Sequence, residues 1–227
     1  MNFPEYKIFS NGAAVAEDAC KRILASAEKA IAEHGAFKIV LAGGTTPEAT
    51  YRELAKQTSD WSKWHVYIGD ERCLPADNPE RNSVMAARSL TAHVAIPQQQ
   101  IYLIDAEKGA EVAAVAYAKI VNQALPFDMV LLGMGEDGHT ASLFPGHQHN
   151  VSEATHAVHN APKPPSDRIS LSASALSNTA ELLMLITGAG KQAPLAQWRA
   201  GEKLPIATIN ATNTLILMDE AAWPESD

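Results

Sequence analysis

The chain has 227 residues, 46% of them apolar, and its 26 acidic against 18 basic side chains give a formal charge of −8. That length and apolar content suit one large α/β domain over residues 1–227 with a sizeable core. The acidic balance argues against a nucleic-acid role, and no apolar run is long enough to span a bilayer, so any positive charge for an anionic ligand has to be local.

The N-terminal MNFPEYKIFSNG lacks a basic region followed by an apolar core, which points to a cytoplasmic protein with no membrane partner. Alanine-rich sequence from Ala13 to Glu33 predicts a helix, with Gly35 where it would end. Cys20 in this stretch and Cys73 further on lack metal-type spacing and read as free thiols. A strand from Lys38 to Ala42 runs into Gly43-Gly44-Thr45-Thr46-Pro47, and TTPEATYRELA then predicts a helix with Pro47 in its first turn. A strand from Trp64 to Ile68 leads into the charged loop IGDERCLPADNPERN, followed by a helix over Asn82–Leu90. Further strands are expected at Ile101–Ile104, Met129–Leu132, Ala154–His159, Arg168–Leu171, Leu182–Thr187 and Thr214–Met218, with helices at Gly109–Gln123 and Lys191–Ala200. The loop Gly146–Asn150 and the Pro-rich stretch Ala161–Asp167 read as loops within a domain. Apolar strands separated by helices imply a doubly wound, mainly parallel sheet with helices on both faces.

In such sheets ligands bind in the crevice beyond the carboxyl ends of the strands, so the loops after strands carry the candidates. The richest is FDMVLLGMGEDGHTASLFPG, Phe127 to Gly146, which predicts a strand, a tight turn at Gly133, Gly135 and Gly138, and a helix start near His139. Asp137 and His139 become candidates for chemistry. The spelling G-x-G-x-x-G invites a dinucleotide reading, but the following helix is broken too soon and no acidic residue ends the next strand. Gly43, Gly44 and Thr45 let a backbone approach an anion at a helix start, although the loop is not a Walker A motif. Asp70 and Arg72 fall at a strand end, where Arg can grip a phosphate through two hydrogen bonds and Asp can orient that Arg or a sugar hydroxyl. Arg81 joins them as a ligand candidate, whereas Asp77 and Glu80 read as solvated charges. Arg168 and Lys191 sit at other strand ends, and a lysine in a first helical turn opposes the helix dipole unless it binds an anion.

Taken together, LAGGTTP, IGDER with Asn78 and Arg81 beyond it, GMGEDGHTASLFPG and ITGAGK resemble the glucosamine-6-phosphate isomerase/6-phosphogluconolactonase family over nearly the whole chain, most closely its bacterial lactonases. The resemblance implies a Rossmann-like sheet of the glucosamine-6-phosphate deaminase kind. It also implies hydrolysis of 6-phospho-D-glucono-1,5-lactone in the oxidative pentose phosphate pathway, with no metal or cofactor. It assigns the phosphate loop to Gly43, Gly44 and Thr45, the basic ligands to Arg72, Arg168 and Lys191, and the acid/base histidine to His139 beside Asp137. The family's deaminases carry a carboxylate in a LDEY-like segment and a GHIAFNEP-like continuation; here GDERCLP and GHTASLFPG stand instead, so amino-sugar isomerisation is the weaker alternative.

Lactone hydrolysis needs a positioned water, a base for its proton and donors for the oxyanion. His139 serves as base, with Asp137 orienting it, and the donors are either amides of the Gly133–Gly138 loop or a basic side chain. A serine acyl-enzyme through Ser142 lacks the nucleophile elbow, and a core or cap role suits that serine better. His139, His147 and His149, with His156 and His159 further on, invite a zinc reading, but no HExxH helix or cysteine pair accompanies them, and exposed loop histidines account for them. His34, His65 and His93 read as surface or packing residues. A non-catalytic sugar-phosphate sensor would expect a DNA-binding segment, and none is visible.

Overall fold

A computed structural model describes residues 3–149 and 152–223. The last residue of the Gly146–Asn150 loop therefore lies outside the described residues. Seven strands form one sheet in the order β1 (Glu5–Phe9), β10 (Asn213–Asp219), β9 (Thr179–Ile186), β6 (Phe127–Gly133), β2 (Phe37–Leu41), β3 (Trp64–Ile68) and β5 (Ile101–Tyr102). Every neighbouring pair is parallel. Consecutive side chains on a strand point to opposite faces, and Met129, Val130, Leu131 and Leu132 of β6 are all buried, so both faces of the central strand are covered. Helices α1 (Gly12–His34) and α2 (Thr45–Leu54) pack on each other and on β6 and β9. The parallel α/β architecture is the one expected.

The strand order explains where a ligand can enter. From β2 the chain steps outward to β3 and β5, and from β6 it steps the other way to β9 and β10. The switch point falls between β2 and β6, where two loops leave adjacent strand ends in opposite directions and open a crevice.

Departures from the sequence-based expectations have physical causes. Strand β1 was not expected, because EYKIF is largely exposed and pairs only with β10 at the sheet edge. The segments expected at Ala154–His159 and Arg168–Leu171 are strands, β7 (Thr155–Val158) and β8 (Arg168–Leu171), but they do not join the parallel sheet. With β4 (Asp70–Arg72) they form a separate antiparallel sheet in the order β4-β8-β7, because the Pro-rich connection leaves no room for a crossover helix. The helix start expected after His139 is absent. Thr140 and Leu143 instead close a tight bridged turn with Ala141 at φ 47°, and Thr140 Oγ1 donates to Gly133 O at 2.8 Å. The expected Asn82–Leu90 helix is α3 (Asn82–Ala86) widening into a π turn, Ala87–Thr91, and the Lys191–Ala200 helix is a 3₁₀ turn followed by α5 (Gln192–Arg199).

Buried tyrosines tie off the strands that end at the crevice. Tyr51 Oη, on α2, accepts from Ala42 N and donates to Ala42 O, both at 2.9 Å, where β2 gives way to the glycines. Tyr117 Oη, on α4 (Ala110–Ala124), accepts from Ile68 N at 2.8 Å at the end of β3. Removing such a hydroxyl strands a buried amide, which costs about 1–3 kcal/mol. Tyr51→Phe is therefore expected to lose about that much stability with an unchanged urea m-value, and an unchanged denaturation midpoint would contradict the role given to this clamp.

Candidate active site

A cleft of about 590 Å³ lies at the switch point. Gly43, Gly44, Thr45, Asp70, Arg72, His139, Arg168 and Lys191 all line it, so eight of the residues singled out from the sequence meet in one place. The glycine loop is shaped by its neighbours. A Cβ at Gly43 would overlap the Asn82 side chain, and Gly44 takes φ 113° as it caps α2, a backbone that side chains avoid. Thr46 Oγ1 and Thr187 Oγ1 share a 2.5 Å hydrogen bond that links this loop to the one after β9.

The loop after β6 presents the histidine. Asp137 Oδ1 is hydrogen-bonded to His139 Nδ1 and accepts His139 N–H at 3.2 Å. Burial would raise the Asp137 carboxyl, but these bonds from His139 hold it below its ordinary value. An ionised Asp137 places the ring proton on Nδ1, which leaves the Nε2 lone pair free. Gly135 must be glycine, because a Cβ there would run into the imidazole. Asp137 itself supports the ring from outside the cleft lining. Within the loop, Gly135 N donates to His139 O at 2.8 Å and Gly138 N to Gly135 O at 3.1 Å, so neither amide is left for an oxyanion.

Positive charge gathers opposite. Arg168, buried at the start of β8, donates Nη2 to Lys163 O at 2.9 Å in the Pro-rich loop, and its guanidinium lies 5.4 Å over the Phe144 ring. Burial lowers its pKa while Asp70 raises it and Arg72 lowers it. Arg72 Nη1 donates to Glu80 O, and its buried Nε has no partner among the described residues. Lys191 is lowered by burial, with Glu136 across the cleft opposing the shift.

Two candidates sit differently from what the sequence suggests. Arg81 does not line the cleft. It is 4% exposed, donates Nη2 to Ile104 O at 2.6 Å and pairs with the fully buried Glu71 at 3.4 Å, so it braces the scaffold beneath the site. Asp70 reaches the cleft wall, but Oδ1 accepts from Asn82 Nδ2 at 2.9 Å and Oδ2 from Ser142 Oγ at 2.6 Å. Burial raises the Asp70 pKa, with the Ser142 bond pulling against it. Ser142 is itself fully buried and spends its hydroxyl on Asp70, in keeping with a core serine.

Several residues carried no sequence signal. Glu71 accepts from Arg72 N, Asn82 N and Ser83 N at 2.8–2.9 Å and so caps α3 from the preceding strand. Phe144 packs between the His139 ring, 4.8 Å away, and Arg168. The histidines are not all exposed loop residues: His156 is 9% exposed on β7 and hydrogen-bonds His149, whereas His159 sits at the surface with Asp167 and Glu111. Among the described residues no group of three or more His, Cys, Asp or Glu is placed to hold a metal, and no helix is long and apolar enough to cross a membrane. Cys20 and Cys73 are free.

The family model for glucosamine-6-phosphate isomerases/6-phosphogluconolactonase matches residues 10–218. A 6-phosphogluconolactonase of Mycobacterium tuberculosis is 37% identical over 95% of this chain and 96% of its own length. The crystal structure of 6-phosphogluconolactonase from Thermotoga maritima superposes with a TM-score of 0.89 at 27% identity, covering 96% of this chain and 99% of that one. A monomeric glucosamine-6-phosphate deaminase shares the fold, with a TM-score of 0.85 over 96% of this chain and 98% of that one, at 19% identity.

The buried ion pair beneath the cleft yields a direct test. Removing one partner of such a pair leaves the other charge uncompensated, at a cost of about 3–5 kcal/mol. Glu71→Ala, which also uncaps α3, is expected to lose at least that much in urea denaturation. A loss below 1 kcal/mol would show that the pair is not holding this segment.

Proposed function

The chain belongs to the glucosamine-6-phosphate isomerase/6-phosphogluconolactonase family, and on that footing we propose that it hydrolyses 6-phospho-D-glucono-1,5-lactone to 6-phospho-D-gluconate by histidine-assisted attack of water. The observation that carries this reading is the Asp137–His139 pair, with Nε2 free of hydrogen bonds among the described residues, at a cleft also lined by Arg72, Arg168 and Lys191. The amides at the start of α2, near Gly44 and Thr45, together with Arg72 and Arg168, hold the phosphate and fix the ring against His139. A water between Nε2 and the lactone carbon gives its proton to Nε2 as its oxygen bonds to that carbon. Asp137 stabilises the imidazolium that results. The oxyanion falls to Lys191, since the Gly135 and Gly138 amides are committed within their own loop. When the intermediate collapses, the bond from the carbonyl carbon to the ring oxygen breaks, that oxygen takes the proton from Nε2, and the new carboxylic acid ionises.

The route uses side chains and backbone alone, at a site suited to a cytoplasmic sugar phosphate. The deaminase alternative is less well supported. Where the deaminases continue with a carboxylate, this chain has Ser142 to Pro145, and the only polar side chain in that turn is tied to Asp70. The same bond argues against Ser142 as a nucleophile.

His139→Ala is expected to lower kcat for the lactone by about a hundred-fold to ten-thousand-fold, while the dissociation constant for 6-phosphogluconate changes little. Equal loss of both would make His139 structural. Gly135→Ala, which displaces the ring without removing it, is expected to lose at least ten-fold in kcat with an unchanged circular dichroism spectrum, an order of effect that follows from misplacing a catalytic group by about 1 Å. Full activity in that variant would contradict the close fit of loop to imidazole.

A further inference from the structure

Behind the cleft, two histidines that the proposed chemistry does not use form a chain onto it. Phe144 N donates to His149 Nε2 at 3.0 Å, and Phe144 O lies 3.2 Å from the same nitrogen. His149 Nδ1 is 3.1 Å from His156 Nε2, and His156 is buried on β7. Phe144 in turn packs between the His139 ring and the Arg168 guanidinium, and Arg168 stands on β8, paired with β7 through Val158. The backbone of Phe144, the aromatic contact of both the base and a phosphate ligand, is thus fastened to the small antiparallel sheet by one imidazole.

We infer that His149 is a positioning residue, whose uncharged imidazole holds Phe144 against His139 and Arg168 and releases it when Nε2 takes a proton. The distances fit two tautomers, with Nε2 accepting the Phe144 N–H or donating to Phe144 O, and the latch is the first of them. In it the Phe144 N–H points at His149 Nε2, so that nitrogen bears no proton; Nδ1–H then donates to His156 Nε2, and His156 carries its own proton on Nδ1, which has no partner among the described residues. A proton on Nε2 turns this acceptor into a donor. The Phe144 amide loses its bond, and Nε2–H is drawn to Phe144 O, which shifts the residue that bears on the His139 ring. The inference rests on the lactonase reading only where activity is the readout.

The surroundings favour the neutral pair at neutral pH. His147 stacks on His149 with ring centroids 6.1 Å apart, and Arg168 and His139 face it across Phe144. Among the carboxylates nearby, Asp70 is spent on Ser142 and Asn82, and Asp137 on His139. On α4, which packs on β7 through the bond from Thr155 Oγ1 to Ala114 O, Glu111 is engaged by His159 at the far end of the strand and Lys119 stays at the surface. Burial holds both His149 and His156 below the ordinary histidine value, His156 at about 4. A depressed histidine binds its proton more weakly folded than unfolded, so the latch is closed at neutral pH and opens only as pH falls through a folded-state value below that of an ordinary histidine.

The test combines kinetics with a resonance that reports the latch itself. His149→Ala is expected to lose about ten-fold in kcat/KM, the worth of one hydrogen bond to a positioning group, and His149→Gln, whose amide oxygen can accept the Phe144 N–H, to recover most of it. The acid limb of log kcat/KM is expected to be steeper than one proton in the parent and one proton in both variants. In ¹⁵N-labelled parent protein, the Phe144 amide is expected to shift with the same midpoint as the His149 ring. A Phe144 amide indifferent to that titration, or parent kinetics and an unchanged acid limb in the variants, would overturn the inference. If His149→Ala does not fold, the limb of His149→Gln and the parent amide titration decide alone. A titrating amide in a protein that does not hydrolyse the lactone would sink the lactonase reading and leave the latch standing.

Discussion

One buried carboxylate, Asp70, binds the site together. Its oxygens reach Asn82 at the start of α3 and Ser142 in the turn after His139, while Arg168 and Arg72 lie close enough to perturb it. Three loops distant in sequence are therefore held to a single point at the end of β3. A buried charge of this kind is tolerable only when its hydrogen bonds are made, so the same condition that keeps Asp70 satisfied also fixes the loops around it. Glu71 repeats the arrangement one residue on, using Arg81 and the amides of α3. The next-door Arg72 lines the cleft.

The parallel sheet decides where this happens. Because β2 and β6 are neighbours whose crossovers run in opposite directions, the glycine loop and the histidine loop face each other, and the loop after β9 adds Thr187 and Lys191 from the side. In a molecule of net charge −8, the cleft still gathers three cations, Arg72 and Arg168 from the small antiparallel sheet and Lys191 from the loop after β9. The basic side chains there are partly desolvated, which weakens their hold on protons but strengthens their pull on a ligand charge.

Much of this was legible in the sequence, and the limits have physical causes. Apolar strands alternating with helices disclosed the parallel sheet, and the rule that ligands meet strand ends picked out Gly43, Arg72, His139 and Lys191 before any coordinate. Arg81 was misread because sequence position cannot tell an arginine facing the cleft from one facing Glu71 on the strand behind it. The helix expected after His139 failed because Thr140 and Ser142 spend their hydroxyls on Gly133 and Asp70, tertiary partners that no local pattern announces. Strands β7 and β8 were found as strands but not as a second sheet, since strand propensity is silent about direction. Glu71, Asn82 and Phe144 act through contacts with distant segments and left no local trace.

We propose that the Asp137–His139 pair and the cations lining the same cleft make it a lactone hydrolase and not an amino-sugar deaminase, a distinction the shared fold cannot draw. The most direct measurement is proton release from freshly generated 6-phosphogluconolactone with and without the protein, run beside ammonia release from glucosamine 6-phosphate. The account predicts lactone hydrolysis well above the spontaneous rate and no ammonia. Ammonia release with no acceleration of lactone hydrolysis would contradict it.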